Sequence, residues 1–387
     1  MKVQIRPIRP EGRDLKSFLD LPYRIHRGLE HWVPPLRRDV EFLLHTSRNP
    51  FYEHGAVQSF LAERAEGAGA RPVGRISAIE NHAHNAFHQD KVGFFGLFEC
   101  EEDPEAAAGL FDAAADWLAG RGLEVLRGPT NLSTNDDCGL LIRGFHRPPA
   151  VLMPYHPPYY ERLVEEAGFA KAKDLLVFYY AGAVPETLAR AADRVARRNR
   201  ARTRSLDMSR FLAEVDAIRD LYNSAWERNW GFVPMTKHEI DHMAKELKAV
   251  IAPSIVRIAE VRGEPVGFAL ALPDLNQVLR HLNGRMGPWG LCKFLWHRRS
   301  VNTLRVLTLG IKEGYRASGI DVLMYHDLFR EGLVLGIDRG EFSWVLEDNL
   351  AMARPLERIG ATVDRVYRLY DRPIRGKGAR AGTGGAA

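Results

Sequence analysis

Between Leu309 and Ile320 the chain reads Leu-Gly-Ile-Lys-Glu-Gly-Tyr-Arg-Ala-Ser-Gly-Ile: an apolar strand ends, a tight turn follows and a helix begins. Small residues at such a turn aim unpaired backbone N–H groups and the positive end of the helix dipole at one point, which suits an anion such as pyrophosphate. The same turn also serves simply to start a helix, and on these residues alone both readings stand. Further on, Trp344-Val345-Leu346-Glu347-Asp348-Asn349 closes a second strand and opens a helix that runs to Gly360. Glu347, at the mouth of that strand, is a candidate general base, acting directly or through water. Pairing with an arginine at a strand end is the other reading of the same carboxylate. Backbone N–H groups near Gly310–Lys312 are placed to polarise a carbonyl.

The elements that would position these groups occur twice. Residues 71–79, Arg-Pro-Val-Gly-Arg-Ile-Ser-Ala-Ile, and residues 263–271, Gly-Glu-Pro-Val-Gly-Phe-Ala-Leu-Ala, carry one strand signal with the same Pro-Val-Gly opening. Each precedes a strand, a helix, a strand and a short helix: 92–99, 103–121, 124–128 and 159–169 in the first half, 304–312, 316–335, 341–346 and 351–361 in the second. Both halves end in an aromatic strand, 175–180 and 366–370. Val322, Tyr325, Phe329 and Leu333 are expected to form the apolar face of the helix after the turn. Two copies of a mixed α/β unit follow, with expected domains 1–182 and 183–374 and a Gly/Ala-rich tail, 375–387, expected to be disordered.

With both motifs in order, the second half resembles the GNAT superfamily of acyl-CoA-dependent N-acyltransferases, and the first half does so more weakly. Tyr315-Arg316-Ala317-Ser318-Gly319-Ile320 is similar to that family's pyrophosphate loop, and Asn349 to the Asn of its last strand–helix unit. The resemblance implies an α/β fold with a mixed sheet, two GNAT-like domains in tandem. It also implies acyl-CoA or acetyl-CoA as co-substrate, held by Leu309, Ile311, Tyr315, Arg316, Ala317, Ser318, Gly319, Ile320 and Asn349, with Glu347 as the base and no metal. Two departures stand out. Asp321 puts a carboxylate where the loop usually ends in a small residue, or else caps the helix. Leu356 occupies the position where many members carry a tyrosine general acid, so that role has no heir here.

The first half has no phosphate loop; its equivalent, Glu99-Cys100-Glu101-Glu102-Asp103-Pro104-Glu105, is acidic and would repel pyrophosphate. A single coenzyme site, in the second half, is therefore expected. Asn131 and Asn135 in the loop 128–135, Tyr159 and Tyr160 in an aromatic run, and Arg285 suit an acceptor pocket; a domain interface is an equal reading of the loop and the run. His82, His84 and His88 lack a completing carboxylate for a metal. Residues 285–299 mix two tryptophans with Lys293, His297, Arg298 and Arg299, the composition of a segment at an anionic membrane surface, of a channel for a long acyl chain, or of a core helix with a basic end. From Arg190 to Arg210 there are eight arginines against Asp193 and Asp207. Such a block serves phosphate, RNA or an anionic membrane, or is a solvated helix face or an inter-domain connector.

At 387 residues, 45% hydrophobic and 27% charged, the chain has ample apolar surface for folded domains. No stretch approaches the roughly 20 apolar residues of a membrane span, and the start alternates like a strand, unlike a signal peptide. Three distant cysteines, Cys100, Cys138 and Cys292, argue against a disulfide framework or a Cys-x-x-Cys zinc site and fit a reducing cytoplasm. In overall pattern the tandem layout resembles the GNAT branch that includes bacterial ceramide synthases, through 93–99, Gly128-Pro129-x-Asn131, Tyr159-Tyr160 and Asn283-Gly284-Arg285. That resemblance implies transfer of a long acyl group to the amine of a sphingoid base. Three alternatives remain at this level: an aminoacyl-tRNA-dependent aminoacyltransferase, a small-substrate N-acetyltransferase, and a non-catalytic acyl-CoA-binding module. The coenzyme-type loop argues against nucleic acid as the partner.

Overall fold

The structure, a computed structural model, describes residues 2–374 apart from 68, 228 and 249; the tail expected at 375–387 lies outside the described residues. The first half runs β1 (Val3–Ile8), α1 (Gly12–Ile25), α2 (Arg37–Leu43), β2 (Gly55–Glu66), β3 (Gly69–Asn81), α3 (His82–His88), β4 (Val92–Cys100), α4 (Pro104–Ala119), β5 (Val125–Gly128), β6 (Leu140–Arg143), α5 (Tyr159–Glu166) and β7 (Ala170–Ala181). The second runs α6 (Glu186–Asn199), β8 (Ala201–Ser205), α7 (Phe211–Trp226), α8 (Lys237–Lys248), β9 (Val256–Val261), β10 (Glu264–Pro273), α9 (Asn276–Leu279), α10 (Pro288–His297), β11 (Thr303–Ile311), α11 (Ile320–Val334), β12 (Arg339–Leu346), α12 (Leu350–Arg358) and β13 (Thr362–Pro373).

The chain packs as two units. Unit 1 holds the chain up to Asp174, Asn283–Arg285 and the residues from Tyr367 onward; unit 2 holds Leu175–Leu282 and Met286–Val366. These limits differ from a cut at 182/183 because strand pairing, not chain order, assigns the last strand of each half. In unit 1, β1–β4 form an antiparallel run, β4 pairs with β5 in parallel, and Tyr370–Pro373 of β13 pair antiparallel with β5. In unit 2, β8–β11 form the antiparallel run, β11 pairs with β12 in parallel, and Leu175–Ala181 of β7 pair antiparallel with β12. Each unit thus takes its final strand from the other half of the sequence. Residues 175–180 and 366–370 carry near-identical aromatic strand signals, so the sequence gives no sign of this exchange.

In each unit the helix between the parallel strands covers one face of the sheet. On α4, Ala106, Leu110, Phe111, Ala114 and Leu118 are buried at i, i+4, i+5, i+8 and i+12, the stripe of a core-facing helix. On α11 the buried residues are Ile320, Leu323, Met324, Tyr325, Asp327, Leu328 and Gly332. Of the face expected from Val322, Tyr325, Phe329 and Leu333, Tyr325 is buried, but Leu333 is 41% exposed. α11 packs against α6 as well as the sheet, so its buried arc is wider than the expected row: Tyr325 and Phe329 both reach Phe342, while Leu333 is left outside.

Unit 2 is pinned by a buried ion pair. Arg365 donates from Nη2 to Glu341 Oε2 at 3.0 Å and from Nη1 to Oε1 at 3.3 Å, with both side chains nearly inaccessible. Removing one partner of such a pair strands the other charge in a medium that cannot solvate it. Arg365→Leu is expected to lower unfolding free energy by about 3–5 kcal/mol, read from denaturant melts. A change below about 1 kcal/mol would show that water reaches Glu341.

Candidate functional site

In unit 2 the parallel strands part. β11 and β12 are in register only from Thr303↔Arg339 to Val306↔Phe342, although β11 continues to Ile311 and β12 to Leu346. The register of β11 on its other neighbour, β10, also slips, between Leu270↔Thr308 and Ala271↔Val306, which leaves Leu307 as a bulge. Beyond the bulge Lys312 donates its N–H to Val266. By the alternation of an antiparallel ladder, Gly310 and Thr308 also face β10. The N–H groups of Leu309 and Ile311 therefore face the opening left by β12. These are the two strand positions that the sequence assigned to a coenzyme.

At the end of the opening lies the turn. Ala317 (φ 61°) and Gly319 (φ 85°) are both left-handed with Ser318 between them, a geometry that curls successive N–H groups inward. Among the described residues the N–H groups of Ala317 and Gly319 have no hydrogen-bond partner. Gly319 is required here twice over, by its φ and because a Cβ would lie 2.9 Å from Val195 on α6. Asn199, at the end of α6, donates to Ser318 O at 3.0 Å and holds the turn from behind. Arg316 donates to Ala225 O at 3.0 Å, at the C-terminal end of α7, where a cation is favoured by the helix dipole. Asp321 sits in the first turn of α11, where burial lifts its carboxyl above the usual range. The N-cap itself is Gly319.

The other residues singled out in the sequence take varied places. Glu347 lies half-buried in the turn directly after β12. Asn349 is the N-cap of α12, its Oδ1 accepting from Met352 N at 3.2 Å. Leu356 is fully buried in the unit 2 core, so no polar group replaces the missing tyrosine there. The arginine block divides: Arg202 and Arg204 lie on β8 and pair with Glu260, and Arg204 also with Glu214. Arg190, Arg194 and Arg197 instead line, with Thr187 and Asp193, an open cavity of about 670 Å³ on α6. The contacts of Ala225, Val195 and Asn199 with the turn carried no local sequence signal, because each reaches it from a distant helix.

Unit 1 repeats the architecture and closes the opening. β4 and β5 are in register only from Val92↔Val125 to Phe94↔Arg127. Past that point Thr130 donates its N–H to Phe95 O at 2.7 Å, and Asn131 Oδ1 accepts from Leu97 N at 2.8 Å. A Cβ on Gly96 would lie 2.1 Å from Thr130 O, so the loop is seated directly on the strand. Asn131 therefore occupies a strand N–H of the kind left open in unit 2. The helix start is closed as well: Asp103 caps α4 through Ala106 N and pairs with Arg64, and Glu101 pairs with Arg71 and Arg24. The acidic segment is thus neutralised internally.

Tyr160 is fully buried; its O–H donates to Glu99 at 2.7 Å and its oxygen accepts from Cys100 N at 2.9 Å. Tyr159 donates to Cys100 O at 2.8 Å. His26 lies 2.7 Å from the same Glu99 carboxylate. Burial alone would raise that carboxyl, but His26 and Arg75 outweigh it and bring it down to about 2. Asn135 bonds through its N–H to Ser133 Oγ at 3.1 Å. Asn283 and Gly284, just before the exposed Arg285, accept from Arg37 beside Tyr23. Asn131, Asn135, Tyr159, Tyr160 and Arg285 all belong to unit 1, and the turn, Glu347 and Asn349 to unit 2. His84 is buried beside His88 and Asp90; burial pushes its pKa down to about 3, and no metal-holding group occurs among the described residues.

No protein-family model matches the chain. It is 37% identical over 370 residues to the bacterial ceramide synthase of Caulobacter vibrioides, covering 93% of this chain and 95% of that one. It is 35% identical over 371 residues to protein YghO of Escherichia coli, covering 93% of each. Among solved structures it is similar to a tandem GNAT protein from the clavulanic acid biosynthesis pathway, with a TM-score of 0.55, 10% identity and coverage of 97% and 99%. A GCN5-related N-acetyltransferase from Sphaerobacter thermophilus gives a TM-score of 0.52, 14% identity and 96% coverage of each. The fold is that of tandem GNAT proteins.

A charge-assisted hydrogen bond contributes about 1.5–3 kcal/mol, so Arg316→Glu is expected to weaken CoA binding by roughly 10- to 100-fold with the far-UV spectrum unchanged. Wild-type affinity in the folded variant would place the coenzyme elsewhere.

Proposed function

From the premise that this chain belongs to the family of the bacterial ceramide synthase, and so is an N-acyltransferase of the GNAT fold, we propose that it moves an acyl group from acyl-CoA to a primary amine through unit 2 alone. The diphosphate sits on the turn 315–320, drawn by the N–H groups of Ala317 and Gly319 and by Arg316. The pantetheine arm runs between β11 and β12, hydrogen-bonded along the Leu309 and Ile311 edge. The single observation that supports this most is the parting of β11 from β12 directly in front of that turn.

In the reaction the amine nitrogen attacks the thioester carbonyl carbon, and negative charge gathers on its oxygen, where N–H groups near Gly310–Lys312 stabilise it. The carbon–sulfur bond then breaks, the amide remains, and CoA leaves as a thiolate that takes up one proton. Glu347 accepts the proton that the amine gives up, directly or through a water. Its place supports the role: the turn after β12 borders the opening. Asn349 keeps that turn in position through the cap of α12. The acyl group is long-chain and the amine belongs to a sphingoid base, a substrate reading that rests on the name of the relative.

Incubation of the purified protein with palmitoyl-CoA or acetyl-CoA and a sphingoid base, with mass detection of the amide, tests the reading. Palmitoyl-CoA is expected to give N-acyl product. Product from acetyl-CoA alone would keep the chemistry and discard the long chain; no product from either would count against acyl-CoA dependence. Glu347→Gln is expected to retain CoA affinity and lose about 100-fold or more in kcat, the lower range of general-base effects. Unchanged kcat would remove Glu347 from the mechanism.

A further inference from the structure

The helix α10 is built inside out. A surface helix ordinarily turns its apolar arc toward the core, yet none of the ten residues of Pro288–His297 is buried. At the 3.6-residue period Trp289, Cys292 and Trp296 share one stripe, and Pro288, Leu291 and Leu295 the adjoining one. Trp289 is 83% exposed, Trp296 79%, Leu291 52% and Leu295 49%. A narrower seam on the other side holds the helix down: Phe294 packs against the unit 2 core, and His297 stacks on His281 with ring centroids 4.0 Å apart.

Charge accompanies the apolar arc. Lys293 lies at its edge, Arg298 and Arg299 follow its C-terminus, and all three are exposed. From Met286 to Lys312 the chain contains no Asp or Glu. Contiguous exposed apolar surface of this kind marks an interaction site, and indole rings beside cations match the headgroup layer of a bilayer, where rings sit among polar groups and cations meet phosphates.

We propose that α10 lies in the surface of an anionic lipid bilayer, with Trp289 and Trp296 at headgroup depth and Lys293, Arg298 and Arg299 on lipid phosphates. Ten residues of helix reach about 15 Å, half of the roughly 30 Å hydrocarbon layer, so the helix lies on the membrane. Among the described residues no helix is long and apolar enough to cross one. A second copy of this face is a poorer partner, because an acid-free segment meeting itself brings cations together with no counter-charge. The inference adds a partner to the acyltransferase reading but stands on α10 alone.

Flotation of the full-length protein tests it, using vesicles of phosphatidylcholine alone and of phosphatidylcholine mixed equally with phosphatidylglycerol. Affinity for CoA, measured without vesicles, serves as the control for folding. The protein is expected to rise with the mixed vesicles and to remain behind with the neutral ones. Trp289→Ala with Trp296→Ala should reduce partitioning by about tenfold or more, and Lys293→Gln with Arg298→Gln and Arg299→Gln by roughly 100-fold, with CoA affinity unchanged in both. Absence of flotation, or flotation unaltered in either variant, overturns the proposal. So does a concentration-dependent dimer that the tryptophan variant abolishes while the wild type ignores vesicles. Failure of the wild type to bind CoA would count against the acyltransferase reading and leave the flotation result to decide this one.

Discussion

The proposed chemistry depends on two parallel strands that stop pairing part-way. Up to Val306 and Phe342 the ladder between β11 and β12 is intact; beyond that point two strand edges face an opening. Backbone polar groups left without partners need others, which is why the proposal seats an extended, amide-bearing ligand there. The bulge at Leu307 helps β11 bend away, and the turn at 315–320 sets unpaired N–H groups at its end. A pantetheine arm with a diphosphate has the same order of groups.

The first unit shows what the same fold does without that opening. Its parallel strands part at the corresponding place, but Thr130 and Asn131 fill the gap, and Asp103 caps the helix that would otherwise face an anion. The acidic loop, neutralised by Arg64, Arg71 and Arg24, has become a structural joint. Beneath it, the Glu99 carboxylate is shared by His26 and Tyr160 in the interior. In this copy the corresponding gap is filled from within the chain.

What could be read in the sequence was local. The tight turn at 315–320, the repeated strand–helix units and the exposed aromatic helix each declare themselves within a dozen or so residues, through small residues, apolar period or composition. What could not be read depends on partners far along the chain. Arg202 and Arg204 look like free cations until β9 brings Glu260 beside them. Asn131 looks like a ligand-binding amide until Leu97 occupies it. Tyr160 looks like a pocket residue until Glu99 and Cys100 enclose its hydroxyl. The exchange of final strands was equally hidden, because β7 and β13 offer interchangeable signals and only the sheet decides between them.

Hydrogen–deuterium exchange of the intact chain with and without palmitoyl-CoA tests the central claim most directly, since it reads the backbone N–H groups on which the account rests. The account predicts slowed exchange at Leu309, Ile311 and residues 316–320, and none at residues 95–105, where the equivalent groups are already occupied. Protection at 95–105, or none at 309–320 at saturating ligand, would contradict it.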